Sequence, residues 1–257
     1  MFSSKLKSIK TSAGHRFGMR IRNIPSDIEG IVIGITQCIA GCELLEVQAT
    51  DDKGVKRTHV FSSKLVEIID SKKVDEYETI FKNMKVTMPV RLGDEVEDSV
   101  ADVRGIVGEI QYSVNQPPNV LIVKKFDEND PSKYESARVI SCKKTGHSIH
   151  DKIIANRNLR EKDELKVELM QRARCMATGV EGLVTSKFDQ ANGTISVGIQ
   201  PKSSTGKLLD TYFTDIELVE VLEPVKEVKQ KTDAPYKRSG CVRSHELTSL
   251  QRTNIHV

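Results

Sequence analysis

The sequence predicts a mainly all-β protein made of three tandem small β-barrels, joined by short, partly helical linkers and flanked by extended termini. The stretch from Gly30 to Gln48 contains two apolar, β-branched runs separated by the small residues Ala40-Gly41, a pattern that favours the two strands of a hairpin. The start of this stretch recurs twice, because Gly30 with its apolar neighbours returns as Gly105 and again as Gly182. These three glycines are the predicted anchors of an internal structural repeat.

The spacing within the copies supports the repeat. Val47-Gln48 follows Gly30 by 17 and 18 positions, and Ile199-Gln200 follows Gly182 by the same 17 and 18. Both copies then continue with a turn that contains Gly and Lys, an aromatic residue, and a closing Leu-Val-Glu-Ile or Leu-Val-Glu-Val segment. The middle copy is more divergent but keeps its first strand. Since self-similarity at a fixed period is the sequence signature of a repeat architecture, the chain is expected to contain one small β-unit three times.

The repeat sets the predicted domain boundaries. They are an N-terminal basic arm (1–16), barrel 1 (17–70), a linker (71–83), barrel 2 (84–142), a second linker (143–164), barrel 3 (165–222) and an extended C-terminal tail (223–257). A unit of about 50 to 60 residues buries only around 60% of the surface of its unfolded chain. Such units are expected to be stabilised by packing against neighbouring units of the chain or against partner subunits.

The first copy is expected to form five short strands, because alternating or β-branched runs are separated by turn residues. Five strands in so short a segment favour a curled barrel, since closure removes exposed strand edges. Gly34, within the longest strand, is a point where such a barrel could bend sharply. The predicted strands are 20–24, 29–39, 44–49, 57–61 and 65–69.

The remaining segments follow the same logic. Apolar residues at helical spacing predict a linker helix within 71–83, and the second linker is expected to be partly helical. Four carboxylates within Gly93–Ser99 lack the alternating spacing of a calcium-binding loop, so a solvated acidic loop is expected. In the third copy, Asn192-Gly193 is a strong hairpin signal because both central residues of such a turn need a positive φ.

The composition is that of an ordinary globular chain. The net charge of +3 and the aromatic content of 5% are too low to indicate a nucleic-acid-binding protein by themselves. Five cysteines are an odd number spread over 257 residues, which favours a reducing compartment over a disulfide framework. No apolar run long enough to span a membrane and no signal-peptide core are expected.

No catalytic constellation is predicted, and no catalytic, cofactor-binding or metal-ligating residue is assigned. Cys142, His147 and His150 lack a second cysteine at zinc-finger spacing. The Pro201–Lys207 segment departs from a phosphate-binding loop at its first glycine and after its lysine. Cys38 and Cys42 are not expected to converge, and Cys42 is expected to be a small buried hydrophobe.

Both termini are polar. The first 22 residues carry six Lys or Arg and no carboxylate. Three interpretations stay open for the N-terminal arm: a solvated basic segment, an arm that becomes ordered on a partner, or an organelle transit peptide. The C-terminal tail is too hydrophilic to fold by itself.

Two sets of residues carry a resemblance to known proteins. The Asp27–Val32 segment, centred on Gly30, resembles the opening of SH3-like barrels, including the KOW-type barrels of ribosomal and transcription proteins. The series Gly30-Ile31-Val32, Gly41-Cys42 and Val47-Gln48 is similar to small proteins of tailed bacteriophages. The third copy departs from that pattern at Asn192-Gly193, where Gly-Cys would fall, and the first copy has Ala49 in place of proline.

The resemblance implies a virion component of a tail or baseplate, made in the host cytoplasm, and it transfers no catalytic residue. Together with the repeats, the lack of a catalytic constellation and the two polar arms, it predicts a non-enzymatic structural protein. Its implied partners are other virion structural proteins within a symmetric assembly, with no membrane contact and no small-molecule substrate. Weak contact with nucleic acid through the basic arms is left open. The alternatives are a nucleic-acid-binding protein that uses KOW-like barrels and a cellular repeat scaffold that recruits peptides.

Overall fold

A computed structural model describes residues 9–83, 88–100, 102–114, 116–127, 134–190 and 193–223 of the 257-residue chain. These segments hold fifteen β-strands and two α-helices, so the prediction of the all-β class is confirmed. The helices are α1 (Val74–Asn83) and α2 (His150–Glu161). Within the described residues, no helix is long and apolar enough to cross a membrane.

The strands fall into three groups of five, which we call modules 1, 2 and 3. Module 1 contains β1 (Arg20–Asn23), β2 (Glu29–Cys38), β3 (Glu43–Thr50), β4 (Lys56–Ser62) and β5 (Val66–Asp70). Module 2 contains β6 (Asp94–Asp98), β7 (Val103–Ser113), β8 (Gln116–Lys124), β9 (Tyr134–Arg138) and β10 (Cys142–Ser148). Module 3 contains β11 (Arg172–Cys175), β12 (Glu181–Asp189), β13 (Ile195–Pro201), β14 (Tyr212–Asp215) and β15 (Val219–Glu223).

The three modules share one topology. In each, the fourth strand pairs with the third, the third with the second, the second with the first and the first with the fifth, all antiparallel. A 3₁₀ turn precedes the fifth strand in every module, at Ser63–Leu65, Val139–Ser141 and Ile216–Leu218. The structure of the middle copy therefore follows the outer two more closely than its sequence does.

The backbone repeats in detail as well. The register between the second and third strands shifts at the same place in all three modules, after Val32, Val107 and Val184. The carbonyl oxygens of these three valines accept a hydrogen bond from a backbone N–H one or two residues before the first strand, donated by Gly18, Gly93 and Met170 at 2.9, 2.9 and 2.8 Å. A bulge of this kind bends the strand and increases its twist, which allows the long second strand to follow the curvature of the sheet.

Modules 1 and 2 are fused into one ten-stranded sheet, which differs from the prediction of separate barrels. The first half of β2 pairs with β1, and its second half pairs with β7 of module 2. The reason is strand length: β2 and β7 have 10 and 11 residues, whereas β1 and β6 have only 4 and 5. The overhanging halves of the two long strands satisfy each other's backbone hydrogen bonds.

The apolar cores also cross module boundaries. One cluster of buried side chains contains residues of modules 1 and 2 together, among them Val32 and Val107. A second cluster joins module 3 to Ile39 of module 1, to Ile106 and Val123 of module 2, and to Ile153 of α2. The expectation that such small units lean on their neighbours agrees with this packing.

Several predicted boundaries shift. Residues 9–16 of the expected N-terminal arm pack on module 1, with Ile9, Thr11 and His15 buried, because Ile9 belongs to the first apolar cluster. The linker predicted from residue 143 begins later, since β10 continues to Ser148. The linker helix within 71–83 is present as α1. Residues 1–8 of the arm and 224–257 of the tail lie outside the described residues.

Candidate functional site

The three anchor glycines lie at equivalent places, near the start of the second strand of each module. A Cβ added at Gly30 would lie 2.6 Å from the carbonyl oxygen of Gln48, and at Gly182 the corresponding distance to the oxygen of Gln200 is 2.2 Å. At Gly105 it would lie 2.2 Å from the oxygen of Val123. Each glycine therefore permits a close approach of two backbones, which a side chain would prevent.

The surface of the described modules carries a ladder of oppositely charged residues whose sign is reversed in the middle module. Arg22 of β1 contacts Glu67 of β5, and Arg174 of β11 lies opposite Glu220 of β15. At the matching place in module 2, Glu97 of β6 lies opposite Lys143 of β10.

The neighbouring pair is reversed too. Arg20 contacts Glu29 in module 1, whereas Glu95 pairs with Arg104 at 3.0 Å in module 2. The hydrogen bond from Arg104 holds the pKa of Glu95 below its usual range. A first strand of one module placed against the second strand of the other would bring like charges together, so the reversal favours pairing within each module.

The acidic segment that was expected to be a solvated loop is the strand β6. Asp94, Glu95 and Asp98 are buried, and the prediction of a loop is wrong. Burial alone would raise the pKa of Asp94, but Lys144 at 2.6 Å and the backbone N–H of Arg91 outweigh it and hold that pKa low. Carboxylates that have hydrogen-bond and ion-pair partners can be buried in a strand, even though a polar sequence predicts an exposed loop.

The second strands provide the contact that joins modules. Five residue pairs connect β2 to β7, from Gly34 opposite Ser113 to Cys38 opposite Glu109. Two further backbone hydrogen bonds close the ends, from Val114 N–H to the oxygen of Ile33 at 3.0 Å and from Ile39 N–H to the oxygen of Gly108 at 2.7 Å. Edge pairing of this type is the means by which a sheet accepts a strand from elsewhere.

In module 3 the same half of the second strand is open. β11 pairs with β12 only from Glu181 to Leu183, and no described strand pairs with Thr185–Asp189 on that side. Phe188, within this open edge, is 51% exposed, and its ring lies 5.9 Å from that of Phe213. We call residues 185–189 the open edge of β12.

A small cleft of about 160 Å³ lies where the three modules meet. Burial raises the pKa of Asp215 in this cleft to about 6, Glu217 adds to the rise and Arg160 opposes it. Burial also raises the pKa of Tyr134. The side chains that line the cleft include Cys38, Cys42, Glu109, Tyr134, Tyr212, Phe213 and Asp215.

Cys38 and Cys42 do converge in this cleft, contrary to the expectation from the sequence. They flank the turn between β2 and β3, where the N–H of Cys38 donates to the carbonyl oxygen of Cys42 at 3.0 Å, and both line the cleft. The neighbouring thiol of Cys42 and burial raise the pKa of Cys38. Cys42 is partly exposed instead of being a buried hydrophobe.

Helix α2 clamps modules 1 and 3 together. The guanidinium of Arg157 donates to Glu217 Oε2 at 2.9 Å and to the carbonyl oxygen of Ile39 at 3.2 Å. Arg160 Nη2 lies 2.9 Å from Glu217 Oε1, an ion pair without hydrogen-bond geometry. A Cβ at Gly41 would lie 2.8 Å from Arg157, so this glycine makes room for the clamp.

The other motifs occupy structural positions. Cys142 is buried at the start of β10, His147 lies exposed on the same strand, and His150 begins α2 with its Nδ1 2.9 Å from the oxygen of Leu92. In the part of the chain that the structure describes, no group of three or more His, Cys, Asp or Glu is placed to hold a metal ion. Pro201–Lys207 connects β13 and β14 through a tight turn at Gly206.

Comparisons with known proteins add no relative. A scan of protein-family models, a search of curated proteins and a search of solved structures each found no significant match.

Proposed function

We propose that this chain is a non-enzymatic assembly protein whose modules dock to other protein surfaces through their sheet edges. The observation that carries the proposal is the β2–β7 pairing, in which one module of the chain already accepts another by strand addition. The open edge of β12 offers the same part of the repeated unit to a further strand.

The setting proposed for this assembly is a virion, in the tail or baseplate of a tailed phage, as the resemblance of the Gly30–Gln48 segment implies. Three copies of one barrel-like unit present three similar surfaces at fixed spacing, which suits a subunit that contacts several neighbours. The proposal includes three SH3-like barrels, of which modules 1 and 2 share a sheet.

The nucleic-acid alternative receives no specific support from the described surface. The strand arginines that could meet phosphates, such as Arg22, Arg104 and Arg174, are engaged with carboxylates. A phosphate ligand would have to compete with those partners.

The test is to locate the protein in particles from its source. Antibodies against the recombinant chain are applied to a lysate separated on a density gradient, and to the purified particles by immunogold electron microscopy. We expect the chain to sediment with particles after nuclease treatment and to be labelled at one defined position. Recovery of the whole pool as a free chain at the top of the gradient would refute the proposal, and loss of particle association on nuclease treatment would favour the nucleic-acid alternative.

A further inference from the structure

The pairing of modules 1 and 2 is internally symmetric. This symmetry indicates which kind of strand could pair with the open edge of β12 in module 3. Relative to the anchor glycines, Thr36 of β2 and Gln111 of β7 occupy the same position, and these two residues lie opposite each other. The flanking pairs exchange the two equivalent positions across this centre: Ile35 lies opposite Tyr112, and Gln37 lies opposite Ile110. The two strands are therefore related by a local two-fold axis through the Thr36–Gln111 pair.

The equivalent of this central position in module 3 is Phe188. The backbone of the open edge of β12 is oriented as in β2, because Gln190 N–H donates to Thr194 just as Cys38 N–H donates to Cys42. The backbone N–H and C=O groups of alternate residues in a strand point to the same neighbouring strand. Those of Ser186 and Phe188 therefore point to β13, as those of Gln190 do, and those of Lys187 and Asp189 point outward from the open edge.

We propose that a second copy of this chain adds to the open edge of β12, antiparallel, with the two-fold axis at Phe188. This inference rests on the proposed function and names the partner of one of its edges. The two modules 3 would then form one ten-stranded sheet across two protomers, as modules 1 and 2 do within one chain. An isologous two-fold contact is the commonest interface of homo-oligomers.

Charge complementarity supports a second copy as the occupant. With the register of the β2–β7 pair, Lys187 of one protomer lies opposite Asp189 of the other, and the symmetry makes this contact twice. Both residues are exposed. Opposite charges placed directly across two antiparallel strands stabilise the pairing.

Exposed apolar side chains next to the open edge of β12 also support a protein contact there. Leu169 and Met170 are 58% and 70% exposed, whereas Phe17, which corresponds to Leu169 in module 1, is fully buried. Met170 lies beside the open edge, since its N–H donates to the oxygen of Val184 at 2.8 Å. Phe188 would face its own symmetry mate, because opposite residues at a position without mutual hydrogen bonds have their side chains closest.

The experiment is sedimentation velocity of the full-length chain over a range of about 1 to 100 μM, which covers micromolar dissociation constants. We expect a monomer–dimer equilibrium. Lys187→Glu or Asp189→Lys alone would place like charges opposite each other and weaken the dimer about tenfold, and the double variant K187E/D189K would restore it to within about threefold of the original affinity. Rescue by the double variant is a result that a merely misfolded protein does not give.

A backbone variant tests the geometry. Lys187→Pro removes an N–H that faces outward and leaves the β12–β13 pairs, and we expect it to weaken the dimer by about a hundredfold or more with unchanged circular dichroism. Lys187→Ala keeps this N–H and is the matched control; it removes only the side-chain charge and should weaken the dimer by less than about tenfold.

Three results would overturn the inference. A chain that is monomeric at every concentration contradicts it, as does a dimer that none of the edge variants affects. A monomeric chain whose K187P variant no longer sediments with particles would show that β12 docks a different protein, in which case the proposed function stands and the homodimer does not.

Discussion

The carboxyl group of Asp215, in the cleft between the modules, gives a quantitative test of the packing. Its pKa rises from an ordinary 3.8 to about 6, first because it is buried and then because Glu217 is near. The folded chain therefore binds this proton more tightly than the unfolded chain does. Stability falls as the pH rises from 3.8 through 6, and the loss is complete above that window.

Replacing Asp215 by Asn removes the ionisation. At about 1.4 kcal/mol per pH unit, the gap between 3.8 and about 6 corresponds to about 3 kcal/mol. We expect Asp215→Asn to match the parent chain below about pH 4 and to be more stable by up to about 3 kcal/mol at pH 7. The gain appears only as Asp215 in the parent chain becomes ionised.

Urea denaturation followed by far-ultraviolet circular dichroism measures this difference, since the chain contains no tryptophan to report by fluorescence. The quantity compared is the variant-minus-parent free energy of unfolding at each pH, because Asp94 and Glu95, with lowered pKa values, give both proteins an opposite dependence. The exposed Asp210→Asn is the control for a surface substitution and should change the free energy of unfolding by at most about 0.5 kcal/mol. A constant offset for Asp215→Asn at all pH values, or a loss of stability at pH 7, would refute the reasoning.

Two further substitutions test the repeat and the clamp by the same assay. Gly182→Ala places a Cβ 2.2 Å from the Gln200 oxygen and should lower the free energy of unfolding by about 3 kcal/mol. The control Gly206→Ala meets no atom within 4 Å and carries only the cost of a side chain at its positive φ, about 1 to 2 kcal/mol. Equal effects would contradict the close approach at the anchor. Glu217→Gln leaves Arg157 and Arg160 without their buried carboxylate and should cost about 3 kcal/mol or more. The partly exposed Glu220→Gln is the control and should cost at most about 1 kcal/mol. A neutral Glu217→Gln would show that α2 does not clamp modules 1 and 3.

The sequence was sufficient for the local pattern of the strands. β-branched runs, the anchor glycines and the Gly- and Lys-bearing turns indicate where strands begin and end, because these are properties of neighbouring residues. The predicted strand 44–49, for example, is observed as Glu43–Thr50. The shared topology of modules 1 and 3 follows from the same repeated pattern, whereas the sequence of module 2 keeps little of that pattern beyond its first strand.

The contacts between distant residues could not be obtained in this way. β6 contains three buried carboxylates, so its polarity predicted a loop. Its burial is explained by the partners of these carboxylates, which include Lys144, Arg104 and Ser141. The pairing of β2 with β7 occurs because each is longer than the first strand beside it, β1 or β6. The pattern of residues within one strand does not contain this comparison of lengths. Cys38 and Cys42 meet because the turn between them sets two side chains side by side.

Amide hydrogen exchange at the open edge of β12 tests most directly whether this protein works by accepting strands at its sheet edges. The measurement is made by NMR on the full-length chain at low and at high concentration, with the amides of Ser186 and Phe188, which face β13, as internal references. The account predicts that the Lys187 and Asp189 amides exchange rapidly in dilute solution and become protected as the concentration rises, while the reference amides stay protected throughout. Lys187 and Asp189 amides that exchange at one rapid rate at every concentration, in a chain shown by sedimentation to have associated, would contradict it.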